Sequence, residues 1–106
     1  PPLLDVLALD EAGFAARFAR SPIKRIKRQR LVRNACVAAG NWGSATAVPA
    51  LIALLADPEP IVRGHAAWAL RQINDEGGLT AVYQALPREP DEIVRSEMRG
   101  DGSGRH

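Results

Sequence analysis

The chain repeats itself, and that constrains its fold more than any other feature. Leu31-Val32-Arg33 leads into Asn34-Ala35-Cys36-Val37-Ala38-Ala39, Ile61-Val62-Arg63 into Gly64-His65-Ala66-Ala67-Trp68-Ala69-Leu70, and Ile93-Val94-Arg95 into Ser96-Glu97-Met98. The offsets are 30 and 32 residues. Ala47-Val48-Pro49-Ala50-Leu51 matches Leu79-Thr80-Ala81-Val82-Tyr83 at the same offset of 32. Each unit reads as helix, short turn, helix, and such a unit buries its apolar face only by stacking on its neighbours.

Helical spacing runs through the units. Val62, Ala66, Ala69, Leu70 and Ile73 fall on one helical face, and Val48, Leu51, Ile52 and Leu55 do the same for its partner helix. Leu31, Ala35, Ala38 and Ala39 are expected to form the equivalent stripe one unit earlier. No segment alternates with period two over a useful length. The stops agree with helices: Gly40-Asn41-Trp42-Gly43 closes one, with Ser44 as cap of the next, and Pro49 falls in a first turn where it costs little. Asp57-Pro58-Glu59-Pro60 restarts a helix with Asp57 as expected N-cap, Asn74 to Gly78 ends it, and Glu89-Pro90-Asp91 repeats the start signal. The pattern resembles HEAT-like repeats. The expected fold is all-α, with HEAT-like helical repeats stacked as a short α-solenoid over residues 1–99. Residues 1–20 would form capping helices, with Asp10 as an N-cap between them. Residues 21–43 would hold the basic helix and first repeat, 44–75 the second repeat, 76–99 a third, partial repeat, and 100–106 a disordered tail.

Charge is distributed unevenly. No acid lies between Glu11 and Asp57, a stretch holding Arg17, Arg20, Lys24, Arg25, Lys27, Arg28, Arg30 and Arg33. From Asp57 onward nine acids face six bases. A local surplus of cations attracts polyanions, and Arg adds bidentate geometry for phosphate. Ion pairing at i, i+4 inside the stretch is excluded, so binding of phosphate or nucleic acid is preferred over a merely solvated helix face. Aromatic residues are 5% of the chain, too few to argue base-specific stacking.

Other chemistry finds little support. Cys36 is the single cysteine, which excludes an intrachain disulfide and reads as a small core residue. His65 reads as a satisfied, partly buried histidine, since no triad or metal spacing surrounds it. Arg63 and Arg95 are expected to bridge helices or meet acids such as Asp57, whereas Arg33 suits either that role or the basic stretch. Trp42 follows a helix end, where it would cover the groove between repeats. Asp91, Glu92 and Glu97 read as a solvated helix face. The longest nearly apolar run, Ala45 to Ala56, is too short to span a bilayer, and a cytoplasmic setting is expected. The chain opens Pro-Pro without an initiator Met, which reads as a piece of a longer polypeptide.

A more specific resemblance rests on Ser21-Pro22-Ile23-Lys24-Arg25, Arg33-Asn34-Ala35, Gly40-Asn41 and Val62-Arg63-Gly64-His65-Ala66-Ala67-Trp68-Ala69-Leu70. In that order they resemble the C-terminal, HEAT-like region of the epoxyqueuosine reductases, also described as iron–sulfur cluster-binding proteins. The resemblance implies a cytoplasmic enzyme of queuosine synthesis that reduces epoxyqueuosine in tRNA with cobalamin and 4Fe-4S clusters. Those cofactors belong to domains N-terminal to the repeats, which help hold the anticodon stem-loop. The Cys-x-x-Cys-x-x-Cys-x-x-x-Cys runs that ligate clusters are absent, so no cofactor, catalytic residue or metal ligand is expected in this chain. Lys24, Arg25, Lys27, Arg28, Arg30 and Arg33 are the candidates for contact with tRNA. Arg33, Asn34 and Asn41 could instead face the N-terminal cofactor domains. The alternative reading is a HEAT-like protein-interaction scaffold whose basic stretch docks on acidic protein. A stand-alone lyase of the related phycobilin type lacks a plausible reactive group. No membrane partner is expected, and exposure of Leu3, Leu4, Leu7 and Phe14 would allow the isolated piece to self-associate.

Overall fold

The computed structural model describes residues 2–7 and 22–101. Within them the chain forms α1 (Pro2–Leu7), α2 (Pro22–Trp42), a 3₁₀ turn (Ala45–Ala47), α3 (Val48–Leu54), α4 (Pro60–Ile73), α5 (Glu76–Ala85), a second 3₁₀ turn (Leu86–Arg88) and α6 (Glu92–Arg99). No strand occurs among the described residues. The elements form two layers: α2, α4 and α6 lie side by side, and α1, α3 and α5 cover them, with α4 touching α2, α3, α5 and α6. This is the all-α stacked-repeat architecture expected from the sequence.

The core follows the periodicity with one instructive exception. Val62, Ala66, Ala69 and Leu70 of α4 are fully buried, as are Leu51 of α3 and Val32, Cys36 and Ala39 of α2. Alanines at these positions bring neighbouring helices close together. Gly40 carries this furthest: a Cβ there would come 2.6 Å from the Trp68 ring and 3.2 Å from the Ala69 Cα, so Trp68 lies directly over the backbone of α2. Leu31 and Ala38, expected in the core stripe of α2, are exposed instead. The buried face is Arg28, Val32, Ala35, Cys36 and Ala39, the same i, i+4, i+7, i+8, i+11 spacing found on α4, but begun by an arginine. An apolar-only search for the stripe cannot begin there, and it lands one position off.

Helix ends are set by local chemistry. Ser44 Oγ accepts from the Thr46 N–H at 3.2 Å, and Gly43 takes φ +73° at the end of α2. Asn74 closes α4 in the left-handed region at φ 60°, its N–H donating to the Leu70 carbonyl at 3.0 Å. The stop at Asn74 is immediately a start. Asp75 caps α5 by accepting from the Gly78 N–H at 3.2 Å, so Glu76, Gly77 and Gly78 lie inside the next helix and not in a breaking loop. Gly78 is buried, and a Cβ there would come 3.0 Å from Leu70 Cδ2.

Asp57 is not the N-cap of α4 either. That position belongs to Glu59, with Pro60 opening the helix, while Asp57 sits two residues earlier and accepts from the Glu59 N–H at 3.0 Å. Asp91 does cap α6, accepting from Ile93 and Val94 at 2.9 and 3.1 Å. Leu7 is buried, and Leu3 and Leu4 pack on the core, so these leucines of α1 are not an exposed adhesive surface. Asp10, Phe14, Arg17 and Arg20 lie outside the described residues, as does the tail from residue 102.

Candidate nucleic-acid interface

The basic residues sit on an overhang of α2. By the offset of 30, α4 begins at a position equivalent to residue 30, whereas α2 begins at Pro22. Eight extra residues add about 12 Å of helix beyond the level of the repeat. Lys24, Arg25, Lys27 and Arg28 lie on this extension, and Arg30 and Arg33 follow where the repeat proper begins. No acid is available within α2, so the overhang is held down from outside. Arg28 turns inward, is fully buried, and forms a two-pronged pair with Asp57, Nη1 to Oδ2 at 3.2 Å and Nη2 to Oδ1. Arg25 Nε stands 3.7 Å from Glu59 Oε2. Both acids come from the Asp57-Pro58-Glu59 turn that precedes α4.

This changes the set of residues that can meet a ligand. The sequence groups Arg28 with the surface cations. Its guanidinium faces the core against Asp57 and cannot reach a phosphate, so it leaves the candidate set. Lys24, Arg25, Lys27 and Arg30 are exposed, and Arg33 is half-buried. Lys27 and Arg30, three residues apart, share a helical face, and Lys24 lies one turn before Lys27. Arg33 donates from Nε and Nη2 to Asn34 Oδ1 at 3.4 and 3.3 Å.

Arg63 and Arg95 occupy the same repeat position as Arg33 and do a structural job. Arg63 Nη1 donates to the carbonyl of Asp57, six residues back, at 2.8 Å, and Arg95 Nη1 donates to the carbonyl of Glu89, also six residues back, at 3.4 Å. Arg63 also reaches forward to the next turn, Nε to Glu89 Oε1 at 2.8 Å and Nη2 to Oε2 at 2.9 Å. This bidentate hydrogen bond, opposed by partial burial, raises the Arg63 pKa above its ordinary value. Arg33 has no such carbonyl to hold. The residue six back is Lys27, inside α2, where the carbonyl already serves the helix.

Asp57 and Glu89 are therefore equivalent parts of two successive units. Each is buried, precedes a proline, accepts the N–H two residues on, and receives an arginine from the preceding helix of the α2–α4–α6 layer. The sequence names Asp57 as an N-cap and as an acid that Arg63 or Arg95 would meet, and it assigns neither the Arg28–Asp57 nor the Arg63–Glu89 clasp. The signal was present: Asp57-Pro58-Glu59 and Glu89-Pro90-Asp91 stand 32 residues apart. Glu97, expected on a solvated face with Asp91 and Glu92, is buried; Glu92 alone of the three is exposed.

The donor set among the described residues does not fit a metal or an iron–sulfur cluster. Among the described residues no group of three or more His, Cys, Asp or Glu could hold a metal ion. Cys36 is buried, and burial foremost, with the nearby Asp57 charge second, pushes its thiol pKa up to about 12. A protonated, buried thiol is a poor ligand and a poor nucleophile. His65 sets Nδ1 2.8 Å from the Ile61 carbonyl, in keeping with a satisfied helix residue. Trp42 is half exposed as the last residue of α2, and it is Trp68 that covers the inter-repeat contact. No helix among the described residues is long and apolar enough to cross a membrane.

The clasped, stacked helix pairs define a repeat protein, and the chain belongs to the HEAT-repeat family, whose model matches residues 25–99. Within that class it is similar to the epoxyqueuosine reductases. It is 35% identical over 99 residues to the epoxyqueuosine reductase of Bacillus cereus, a match covering 92% of this chain and 26% of the relative. It is 41% identical over 71 residues to that of Xanthomonas campestris, covering 66% of this chain and 20% of the relative. A crystal structure of selenomethionine-labelled epoxyqueuosine reductase superposes with a TM-score of 0.74 at 31% identity, covering 93% of this chain and 27% of that one. The chain thus spans about a quarter of the length of the curated relatives it matches.

Proposed function

We propose that this chain is a tRNA-binding HEAT-like domain of an epoxyqueuosine-reducing polypeptide, and that it grips the phosphate backbone of an anticodon stem-loop. The cobalamin and iron–sulfur chemistry of such an enzyme would lie on parts of the longer relatives that this chain does not span. The observation that carries the reading is the α2 overhang. Lys24, Arg25, Lys27 and Arg30 are exposed on one rigid helix that has no acid of its own. Its one inward cation, Arg28, is spent on anchoring it. A helix pinned in this way presents cations without the ordering cost of a flexible tail. The reading also rests on similarity to proteins named for a modified tRNA nucleoside. Backbone contact carries affinity without base readout, consistent with a chain only 5% aromatic.

The test is fluorescence anisotropy of the chain with a labelled anticodon stem-loop across a salt series. Binding should weaken steeply with salt, and Lys24→Glu, Lys27→Glu and Arg30→Glu should each weaken it and reduce the salt slope by about one. Absence of affinity at low salt, or charge reversals without effect, would remove the basis of the proposal.

A further inference from the structure

Past the overhang the exposed face of α2 continues and changes character. Lys27, Arg30, Asn34 and Asn41 stand at i, i+3, i+7 and i+14, which places them within about 60° of one another around the helix axis. All four are exposed. At 1.5 Å per residue their line is about 21 Å long. Ala38, also exposed, stands between the two asparagines, so a ligand can lie close along the helix there. The first half of the line is cationic and the second half is neutral. After Arg30 the next cation of α2 is Arg33, and its guanidinium is turned onto Asn34. No Lys or Arg follows it in α2.

Asn34 is held in one orientation. Its Oδ1 accepts from Arg33 Nε and Nη2 at 3.4 and 3.3 Å, which turns the amide so that its Nδ2 group is the free end. The two N–H donors of Nδ2 have no partner among the described residues. Asn41 lies in the last turn of α2, where the negative end of the helix dipole disfavours a phosphate. A strand that grips Lys27 and Arg30 through its phosphates and runs on along α2 therefore meets neutral donors. The matching group must be uncharged, must accept from an amide, and must recur at every nucleotide whatever the base. On RNA that group is the ribose 2′-hydroxyl, displayed on the wide, shallow minor groove of the A-form helix. Resting on the RNA reading above, we infer that Asn34, positioned by Arg33, donates to a ribose 2′-hydroxyl, so that the α2 face selects RNA over DNA by its sugar and not by its sequence.

The test is fluorescence anisotropy with one labelled anticodon stem-loop in two forms, RNA and its 2′-fluoro counterpart. The fluoro form keeps the phosphates and the A-form helix and offers fluorine, a poor acceptor, in place of the hydroxyl. The wild-type chain should bind the fluoro form about fivefold more weakly than RNA, with the same salt slope, because a neutral hydrogen bond is lost and no ion pair. Asn34→Ala should bind RNA about fivefold more weakly and bind both forms alike, again at the same slope. Lys27→Glu should lower the slope and keep the preference for RNA. Arg33→Met frees the amide and should shrink that preference while the far-UV circular dichroism spectrum stays unaltered, a change that a purely structural role for Arg33 would not produce. Equal wild-type affinity for the two forms, with a steep salt slope, overturns this inference and leaves the phosphate grip standing. A preference that survives Asn34→Ala overturns it as well, since the hydroxyl is then met by another residue. Absence of affinity for either form at low salt overturns both readings.

Discussion

Replacing Arg28 by methionine separates the structural reading of this residue from the ligand-binding one. Arg28 and Asp57 have side-chain exposures of 0 and 2%, so each is almost wholly removed from water. Breaking such a pair by deleting one partner costs about 3–5 kcal/mol, because the remaining charge is buried without compensation. A domain of this size has a total stability of about 5–15 kcal/mol, so Arg28→Met removes a large fraction of it. Asp57→Asn should cost a similar amount, leaving the guanidinium buried while keeping an oxygen for the Glu59 N–H. The double variant Arg28→Met/Asp57→Asn removes both charges and should recover most of the loss, giving a coupling energy of about 2 kcal/mol or more. Urea denaturation followed by circular dichroism reads all four corners of the cycle at a common slope. If Arg28→Met costs less than about 1 kcal/mol, the pair is not desolvated and the anchoring argument fails. A second readout sharpens the result. Were Arg28 a phosphate contact, its loss would weaken RNA binding at unaltered stability; the structure requires the reverse for the folded fraction.

Other variants probe the remaining claims. Gly40→Ala forces a methyl group against the Trp68 ring and should destabilise the chain by about 1–3 kcal/mol, seen as a lower melting temperature. Arg63→Ala leaves the buried Glu89 without its bidentate partner and should cost about 3 kcal/mol in urea denaturation, more than the exposed Arg30→Ala. Asp91→Ala removes an N-cap that accepts two N–H groups and should cost about 1 kcal/mol by the same measurement. Cys36 should resist iodoacetamide at pH 8 until the chain unfolds. Its folded pKa lies above the ordinary value of 9.0, so the neutral thiol favours the fold below pH 9. That contribution should fall away as pH rises toward about 12, by about 1.4 kcal/mol per unit, measurable as a declining denaturation midpoint.

What the linear chain determined by itself was the architecture. Repetition at 30 and 32 residues, helical spacing of small apolar residues and proline-marked turns are local or periodic signals, and they survive into the structure because every unit faces nearly the same neighbours. The concentration of cations ahead of the first unit was equally plain. Tertiary structure decided which way each cation points. Arg28 and Lys27 are adjacent and chemically similar, yet one is buried and the other exposed. The difference is an acid 29 residues away, which only the stacking of α4 on α2 brings within reach. The same stacking converts Asp57 and Glu89 from turn residues into clasps, and places Leu31 outside the core. Pairing between charges depends on distance in space and on the water excluded around them, and neither is written in the spacing along the chain.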